Sequence, residues 1–368
     1  MRKNLFITGT VGIIALAIYF LETATSSGTG KANTVYEKLS NGRNIHYLVI
    51  GDSIGRGSGA EAIEDRWYSQ LEVLLKDKMG VQAKRQSIVQ SGATAFEGIY
   101  RFQTSSRLRP PDVIFIFFGE NDRKYMDAHE FSYFYDKLLR DAKTRFPDAE
   151  IITITESPLK QDDFARQIQR ISYHYGAKNI DMRKVFRETG MLTEKLTADT
   201  VHPNGTGYQL YANEIFNILL KNSKNKPNIA QLKNSLYANS EFTLKTVGRA
   251  KKMEGFINEE DFYTSSTPGD YIQFHFDGPM LGVKLTRKEN GGMVKVYIDG
   301  KYIRTISTWW PFPRERNLYV ASGLEEGKHT VKFEVINQKS SHNSSDQGNI
   351  QISSILCAEK KKRLNNPL

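Results

Sequence analysis

The segment from His46 to Gly55 constrains the fold more than any other stretch of this sequence. It reads His-Tyr-Leu-Val-Ile-Gly-Asp-Ser-Ile-Gly, an apolar run that ends in a glycine and two polar residues. Such a run predicts a buried strand that breaks into a tight turn. Open α/β folds bind ligands at the edge of the sheet where the strands end. Ser53 is therefore a candidate functional residue, although an ordinary strand end with a polar cap would give the same pattern.

Residues 45–222 alternate apolar, strand-like runs with segments of helical spacing. Near-continuous apolar strands separated by helices are typical of a parallel sheet that is covered on both faces. We therefore predict an α/β domain over these residues. After the first strand, the predicted strands are Ser87–Val89, Asp112–Phe118 and Ile151–Ile154, and the predicted helices include Phe131–Arg145 and Phe164–Tyr175.

The hydrophobic period changes from 3.6 to 2 after a polar break that contains Pro227. Val294, Val296 and Ile298 alternate with polar residues, and the following Asp299-Gly300 is a strong hairpin signal. We predict a linker over residues 223–240 and an all-β sandwich over residues 241–358. This second domain is expected to be separable from the first, because the first already holds the candidate catalytic residues.

The N-terminus has the charge pattern of an export signal. Arg2 and Lys3 precede an apolar run from Leu5 to Leu21. Positive charges before such a run orient the segment with its N-terminus in the cytoplasm. We predict that residues 1–22 are an uncleaved anchor in the cell membrane and that residues 23–44 are a flexible stalk. The catalytic domain would then be extracytoplasmic. The alternative is a secreted protein whose signal segment is cleaved.

Composition narrows the choice of partners. The formal net charge of +10 favours anionic surroundings, but no nucleic-acid-binding motif accompanies it, so we expect no nucleic-acid partner. Cys357 is the single cysteine, which excludes an intrachain disulfide. The histidines other than His202 are scattered without ligand spacing, so no metal and no cofactor are expected. Residues 359–368 are expected to form a basic tail. The sequence does not indicate an oligomeric state.

Three further segments are expected at the same sheet edge as Ser53. Gly119–Asp122 follows the strand that ends at Phe118, and Ser91–Thr94 follows the strand that ends at Val89. Asp199–Pro203 precedes the last helix, and Pro203 keeps His202 in the loop before that helix. These connections therefore converge where a doubly wound sheet binds its ligand.

The residue types in these segments suit acyl transfer to serine. The Ser53 hydroxyl needs a base, which His202 can supply, and the second ring nitrogen of that histidine needs an acceptor such as Asp199. The tetrahedral intermediate needs donors for its oxyanion. The backbone N–H groups of Ser53 and Gly92 and the side-chain amide of Asn121 are the candidates.

Residues 45–221 resemble the SGNH (GDSL-like) hydrolase family. The four marker blocks occur in order as Gly51–Ser53, Gly92, Gly119–Asp122 and Asp199–His202. The resemblance implies a flavodoxin-like, three-layer α/β/α domain. It also implies that the serine of the first block is the nucleophile, that the histidine of the last block is its base and that the aspartate of that block orients the histidine. The first serine, the glycine of the second block and Asn121 would form the oxyanion hole.

The segment Gly51–Gly55 also fits the G-x-S-x-G pattern of α/β-hydrolases. In those enzymes the serine comes well into the sheet, and the acid and the histidine lie on separate loops. Here Ser53 follows the first predicted strand, and Asp199 is three residues from His202. The sequence therefore favours the SGNH assignment.

The second domain resembles the β-sandwich of carbohydrate esterase family 2, on Val296–Lys301 and Gly327–Val331, although the order of the two domains is reversed. The resemblance implies a carbohydrate-facing accessory module. Trp309 and Trp310 are candidate substrate-binding residues because exposed aromatic faces pack against sugar rings; packing in the core or at the domain interface is the alternative. Arg56 is a candidate for contact with an anionic substrate.

The sequence therefore predicts an exported serine esterase of the SGNH type. We expect it to remove O-acyl groups, most simply acetyl, from an envelope or extracellular polysaccharide through an acyl-enzyme on Ser53. The alternatives are an O-acyltransferase that passes the acyl group to a sugar hydroxyl, a lipid esterase and a glycan-binding protein without activity.

Overall fold

The first part of the chain forms a five-stranded parallel sheet with strand order β2-β1-β3-β4-β5, the order found in flavodoxin-like folds. The computed structural model describes residues 33–237 and 240–360. The predicted α/β domain is therefore confirmed. Its strands are β1 Ile45–Gly51, β2 Ala83–Val89, β3 Val113–Phe117, β4 Glu150–Thr155 and β5 Lys178–Asp181.

Helices cover both faces of this sheet. They are α1 Val35–Ser40, α2 Ser53–Arg56, α3 Trp67–Met79, α4 Ala95–Thr104, α5 Ala128–Arg145, α6 Asp162–His174, α7 Met182–Glu188, α8 Thr193–Leu196 and α9 Gly205–Asn225. Leu48 and Ile50 of β1 pack in one hydrophobic cluster with α4, α5 and α6. Tyr47 and Val49 pack in a second cluster with α1, α3 and α9. The strand is apolar along its whole length because both of its faces are buried.

The prediction of a flexible stalk over residues 23–44 is wrong for its last part. Residues 35–40 form helix α1, in which Val35, Tyr36 and Leu39 are buried. The hydroxyl of Tyr36 donates a hydrogen bond of 2.8 Å to Glu150 at the start of β4. This short helix therefore belongs to the α/β domain, and its three apolar side chains were too few to show a helical period in the sequence.

Residues 242–360 form two antiparallel sheets that share one core. One sheet has the order β13-β12-β15-β10-β7, and the other has the order β14-β11-β16-β9-β8 with β6 beside β16. Ile272 and Val296 of the first sheet pack against Val283 and Ile355 of the second. The strands are β6 Phe242–Val247, β7 Lys252–Glu254, β8 Ile257–Glu259, β9 Phe262–Ser265, β10 Tyr271–Asp277, β11 Leu281–Arg287, β12 Gly292–Ile298, β13 Lys301–Ser307, β14 Arg314–Ala321, β15 Lys328–Lys339 and β16 Ile350–Lys360.

The two parts of the chain share a continuous apolar interface. Phe134 of α5 lies 5.6 Å from Tyr319 of β14 and 6.3 Å from Phe242 of β6, measured between ring centroids. Phe96 of α4 is 5.9 Å from the same tyrosine ring. All four aromatic side chains are buried. The expectation of a separable β domain therefore does not hold, because its removal would expose a large apolar surface.

Two predicted segments fall largely outside the described residues. The predicted anchor, residues 1–22, is one of them, and the basic tail is described only as far as Lys360, where β16 ends. Within the ranges that are described, none of the helices combines the length and the apolar character that crossing a membrane requires.

Candidate active site

Ser53 is held at the carboxyl end of β1 by a short helix. Asp52 caps this helix, since its Oδ1 accepts a hydrogen bond of 2.8 Å from the backbone N–H of Ile54. Ser53 is therefore the first residue of α2, and it is 6% exposed. The side chain of a residue in this position lies at the edge of the sheet, as the sequence predicted for Ser53.

The loop before α9 brings two further predicted residues to Ser53. The Oγ of Ser53 and the Nε2 of His202 are 2.9 Å apart, and the Nδ1 of His202 is 2.7 Å from Oδ2 of Asp199. The other carboxylate oxygen of Asp199 accepts hydrogen bonds from the backbone N–H groups of Val201 at 3.1 Å and His202 at 2.7 Å. These four hydrogen bonds hold the imidazole between the hydroxyl and the carboxylate.

Two backbone positions with positive φ shape this loop. Thr200 has φ of +68°, a conformation that non-glycine residues rarely adopt. Gly59 has φ of +97°, and a Cβ atom there would lie 2.6 Å from the Cβ of His202 and from the carbonyl oxygen of Pro203. The histidine loop can therefore approach α2 only because residue 59 has no side chain.

Asp199 remains ionised next to His202. Partial burial alone would raise the pKa of this carboxyl, but the hydrogen bonds from the backbone and ring of His202 outweigh that effect and hold the pKa below its usual value. A carboxylate at Nδ1 favours the tautomer in which Nε2 can accept a proton from the serine hydroxyl.

Gly92 follows β2 in a left-handed conformation with φ of +72°. Its carbonyl oxygen accepts a hydrogen bond of 2.9 Å from Nη2 of Arg316, a residue of β14 in the second domain. The β domain thus binds the carbonyl of this residue and with it the peptide plane between Gly92 and Ala93. Sequence reasoning placed Gly92 at the site but had no signal for its partner, which is 224 residues away.

Arg316 is itself held by a buried ion pair with Glu97 of α4. Nη2 of Arg316 is 2.8 Å from the carboxylate of Glu97, and both side chains are 1% exposed. Arg101 contributes a second contact to the same carboxylate at 3.0 Å. Burial alone would raise the pKa of Glu97, but the charge and hydrogen bonds of Arg316 outweigh it and hold the pKa below its usual value.

Asn121 lies after β3 with its amide close to the start of α2. Its Nδ2 donates a hydrogen bond of 2.6 Å to Oδ2 of Asp52, and its Oδ1 accepts one of 3.3 Å from Nζ of Lys124. A primary amide carries two N–H donors. The contact with Asp52 therefore fixes the orientation of the amide and leaves one donor for an oxyanion.

Two buried carboxyl groups lie beneath Asn121. Burial, the charge of Asp52 and a hydrogen bond with it raise the pKa of Glu156 well above its usual value, and burial raises the pKa of Asp52 as well. Burial raises the pKa of Asp122 to about 7, although its carboxylate accepts hydrogen bonds from the backbone of Ala95 at 2.8 Å and Gly119 at 3.1 Å. These groups anchor the loop of Asn121 to neighbouring loops. Within the described ranges, no set of three or more His, Cys, Asp or Glu residues is arranged to hold a metal ion.

Replacement of Asn121 by alanine should lower kcat by about 10²- to 10³-fold with little change in KM, because an oxyanion donor acts mainly in the transition state. Hydrolysis of 4-nitrophenyl acetate under steady-state conditions measures both constants. Lys124→Met is the matched control, since it removes the other side-chain contact of Asn121 but no oxyanion donor. A rise in KM with an unchanged kcat would instead show that Asn121 binds the substrate ground state.

The predicted substrate-binding residues differ in their positions. Arg56 is exposed, and its Nη1 lies 3.4 Å from the hydroxyl of Ser91, next to Gly92. Trp310 is half-buried with its ring centroid 5.8 Å from the guanidinium of Arg316. Trp309 packs on His342, with a centroid separation of 4.8 Å. Of the two tryptophans, Trp310 is therefore the one that the structure connects to Gly92, through Arg316.

An open groove adjoins the histidine loop. It has a volume of about 910 Å³, and its walls include Glu120, Leu159, Thr200 and Val201. Thr200 and Val201 lie between Asp199 and His202 in the sequence. The groove is large enough for several sugar units and reaches the loop that holds the imidazole.

Family comparison assigns both parts of the chain. Residues 49–210 match the GDSL-like lipase/acylhydrolase family, and residues 255–367 match the carbohydrate esterase 2 N-terminal domain. The first match includes Ser53, Gly92, Asn121 and His202. The second begins after the irregular segment that follows α9 and includes the strands of the β domain from β8 onward.

Solved structures resemble this chain at low sequence identity, and the first of them shares its fold. A two-domain esterase (CEX) active on acetylated mannans, co-crystallised with mannopentaose, is 17% identical with a TM-score of 0.68, over 89% of this chain and 94% of that chain. Axe2, an acetylxylan esterase from Geobacillus stearothermophilus, is 20% identical with a TM-score of 0.40, over 48% of this chain and 94% of its own. No curated protein matches the chain. Residues 49–210 are therefore a domain of the GDSL-like lipase/acylhydrolase, or SGNH, family of serine carboxylic ester hydrolases, and residues 255–367, after it, are a domain of the carbohydrate esterase 2 N-terminal type.

Proposed function

We propose that this protein removes acetyl groups from an acetylated polysaccharide and that Ser53 carries the acyl group between the two halves of the reaction. The observation that carries this proposal is the hydrogen-bonded series Ser53–His202–Asp199, with separations of 2.9 and 2.7 Å. It lies in a domain of a serine ester hydrolase family. An orienting carboxylate, a base and a hydroxyl in this order suit nucleophilic attack on an ester carbonyl.

The proposed reaction has two steps. Nε2 of His202 takes the proton of Ser53 as Oγ attacks the acyl carbonyl, and Asp199 stabilises the imidazolium that forms. The N–H groups of Ser53 and Gly92 and the free amide donor of Asn121 receive the oxyanion. The intermediate expels the sugar alkoxide, which takes the proton from His202. Water, deprotonated by the same histidine, then attacks the acyl-enzyme. The second tetrahedral intermediate expels Oγ of Ser53, which takes the proton back from His202, and acetic acid is released.

We assign the small space beside Gly92 to the acyl group of the substrate. The cavity there has a volume of about 10 Å³ and is lined by Thr94, Tyr125 and Leu318 among others. A cavity of this volume holds about one water molecule. An acetyl methyl group can occupy such a space, whereas a fatty acyl chain needs a channel many times larger.

Two observations support a polysaccharide as the leaving group. The second domain matches a carbohydrate esterase module, and the two-domain structure with the same fold belongs to an esterase active on acetylated mannans. The open groove of about 910 Å³ beside the histidine loop suits an extended chain better than a single small alcohol. The β domain also reaches Gly92 through Arg316, which would allow it to take part in substrate recognition.

We also propose that the protein acts outside the cytoplasm. The support is the sequence pattern in which Arg2 and Lys3 precede the apolar run up to Leu21. Residues 1–22 would then be the anchor in the cell membrane, with the hydrolase on the outer side. Digestion of intact cells by an added protease would test this proposal, since a cytoplasmic protein would remain protected.

The proposed activity predicts a steep preference for short acyl chains. With 4-nitrophenyl acetate, butyrate and octanoate as substrates, we expect kcat/KM for acetate to exceed that for octanoate by about 100-fold or more, as a pocket that excludes extra methylene groups requires. Acetate release from acetylated manno-oligosaccharides tests the polymer. A preference for octanoate would indicate a lipid esterase. Transfer of acetyl to an added glycan without release of acetate would indicate a transferase.

A further inference from the structure

Two arginines of the second domain lie beside Tyr125, four residues beyond Asn121, and a third lies next to one of them. Arg304 donates a hydrogen bond of 3.0 Å from Nη2 to the carbonyl oxygen of Tyr125, and its guanidinium lies 5.9 Å from the centroid of that ring. Arg287 is within hydrogen-bonding reach of the hydroxyl of the same tyrosine. Arg314 is the partner of Arg287 across the β11–β14 pair. We call Arg287, Arg304 and Arg314 the arginine rim.

The guanidinium groups of the arginine rim are not paired with carboxylates in the part of the chain that the structure describes. None of its members forms an ion pair there, and the Nε atom of each is buried without a hydrogen-bond partner. Glu97 is the nearby carboxylate, but it is already bound by Arg316 and Arg101. Burial and the positive charge of Arg316 lower the pKa of Arg287. Half-buried guanidinium groups without an anion are costly in free energy, which points to an anionic ligand.

Aromatic side chains accompany these charges. The rings of Tyr125 and Phe312 are 38% and 42% exposed, and the guanidinium of Arg314 lies 5.4 Å from the centroid of Phe312. Trp310 is next to Phe312 and has a buried Nε1 without a partner. Aromatic faces pack against the C–H faces of sugars, and guanidinium groups bind carboxylates through two parallel hydrogen bonds. Together they suit a sugar that carries a carboxylate.

Tyr125 connects the arginine rim to the proposed site of the acyl group. Tyr125 lines the same small cavity as Gly92 and Arg316, and it belongs to the loop that carries Asn121. A sugar bound at Tyr125 would therefore lie close to the unit that carries the acetyl group. Because guanidinium pairs with the planar carboxylate in a fixed geometry, the rim can select for charge as well as for the sugar face.

We propose that the arginine rim binds a carboxylate of the polysaccharide, so that the substrate is an acetylated acidic glycan built with uronic acid units. This inference rests on the proposed deacetylation. It refines that function because it states which class of polysaccharide is preferred, and the positive formal charge of the chain, +10, acts in the same direction.

The test compares acetylated polygalacturonate with acetylated mannan as substrates of the full chain. We expect kcat/KM to be about 10-fold or more higher for the acidic polymer at low salt, and this preference to fall as sodium chloride is raised, because salt screens exposed charges. The double variant Arg287→Gln/Arg304→Gln should lose at least about 10-fold in kcat/KM on the acidic polymer, chiefly through KM, and far less on mannan. Arg249→Gln, an exposed arginine after β6, is the matched control and should behave as the wild type.

Several outcomes would overturn the inference. Equal use of the two polymers by the wild type, or the same loss on both polymers in the double variant, would show that the rim does not select for a carboxylate. A stronger preference for an acetylated, phosphate-bearing glycan would show that the rim binds phosphate groups and not carboxylates. If the double variant does not fold, binding of polygalacturonate to Ser53→Ala, measured at several salt concentrations, decides the question. Failure on every acetylated glycan, with aryl ester hydrolysis intact, would contradict the proposed function instead.

Discussion

Ser53→Ala is expected to abolish ester hydrolysis, with kcat reduced on the order of 10⁵- to 10⁶-fold, as for the loss of the nucleophile in other serine hydrolases. The reason is that Ser53 is the hydroxyl hydrogen-bonded to Nε2 of His202, at 2.9 Å. Residual turnover should come only from the oxyanion donors and from substrate binding. The measurement is hydrolysis of 4-nitrophenyl acetate under conditions that detect a single turnover.

The same experiment separates a triad from three independent residues. His202→Ala alone should be almost as inactive as Ser53→Ala, and the double variant should be hardly worse than either, because members of a triad act as one unit. Ser40→Ala removes a hydroxyl from an exposed position at the end of α1 and serves as the control. Substantial turnover in Ser53→Ala, with its circular dichroism spectrum unchanged, would refute the catalytic assignment.

Local patterns in the sequence were sufficient to predict the parts of the candidate site that lie at strand ends and on one loop. The run Tyr47–Gly51 is apolar because both faces of β1 are buried, and its end shows the edge of the sheet at which Ser53 lies. Asp199 and His202 are three residues apart, so one loop delivers both. Such features can be predicted because the partners are close in the sequence or because the apolar run shows where the strand ends.

Other features left no such signal. Strand β5, Lys178–Asp181, was not predicted because it lies at the sheet edge, where only Ile180 is buried. The first half of β2 was missed for the same reason: its residues are mostly exposed and polar. The pairing of Asp52 with Glu156 could not be predicted either, since the partners are brought together only by the order of strands in the sheet.

The contact that most changes the sequence-based interpretation is that between Arg316 and Glu97. These residues are 219 positions apart, and neither lies in a motif. Sequence reasoning therefore assigned the β domain to polysaccharide binding alone. The structure shows that this domain also binds the carbonyl oxygen of Gly92 at 2.9 Å, in the same residue whose N–H is a candidate oxyanion donor.

Arg316→Met should destabilise the protein by about 3–5 kcal/mol, as the loss of one partner from a buried ion pair does. Glu97 would keep the contact with Arg101 at 3.0 Å but lose its fully buried partner. The carbonyl of Gly92 would also lose its hydrogen bond, so we expect kcat on 4-nitrophenyl acetate to fall with little change in KM. Urea unfolding and steady-state kinetics measure the two effects separately.

The double variant Glu97→Gln/Arg316→Met distinguishes positioning from stability. Removing both charges leaves no unpaired ion in the interface, so much of the lost unfolding free energy should return. The hydrogen bond to Gly92 would still be absent, and kcat should therefore stay low. Lys284→Met is the control, because it breaks a surface ion pair between Lys284 of β11 and Glu315 of β14. It should change the free energy of unfolding by no more than about 1 kcal/mol and leave kcat nearly unchanged. If kcat recovered together with stability, Arg316 would only hold the two domains together, and the oxyanion donors would be positioned by the hydrolase domain alone.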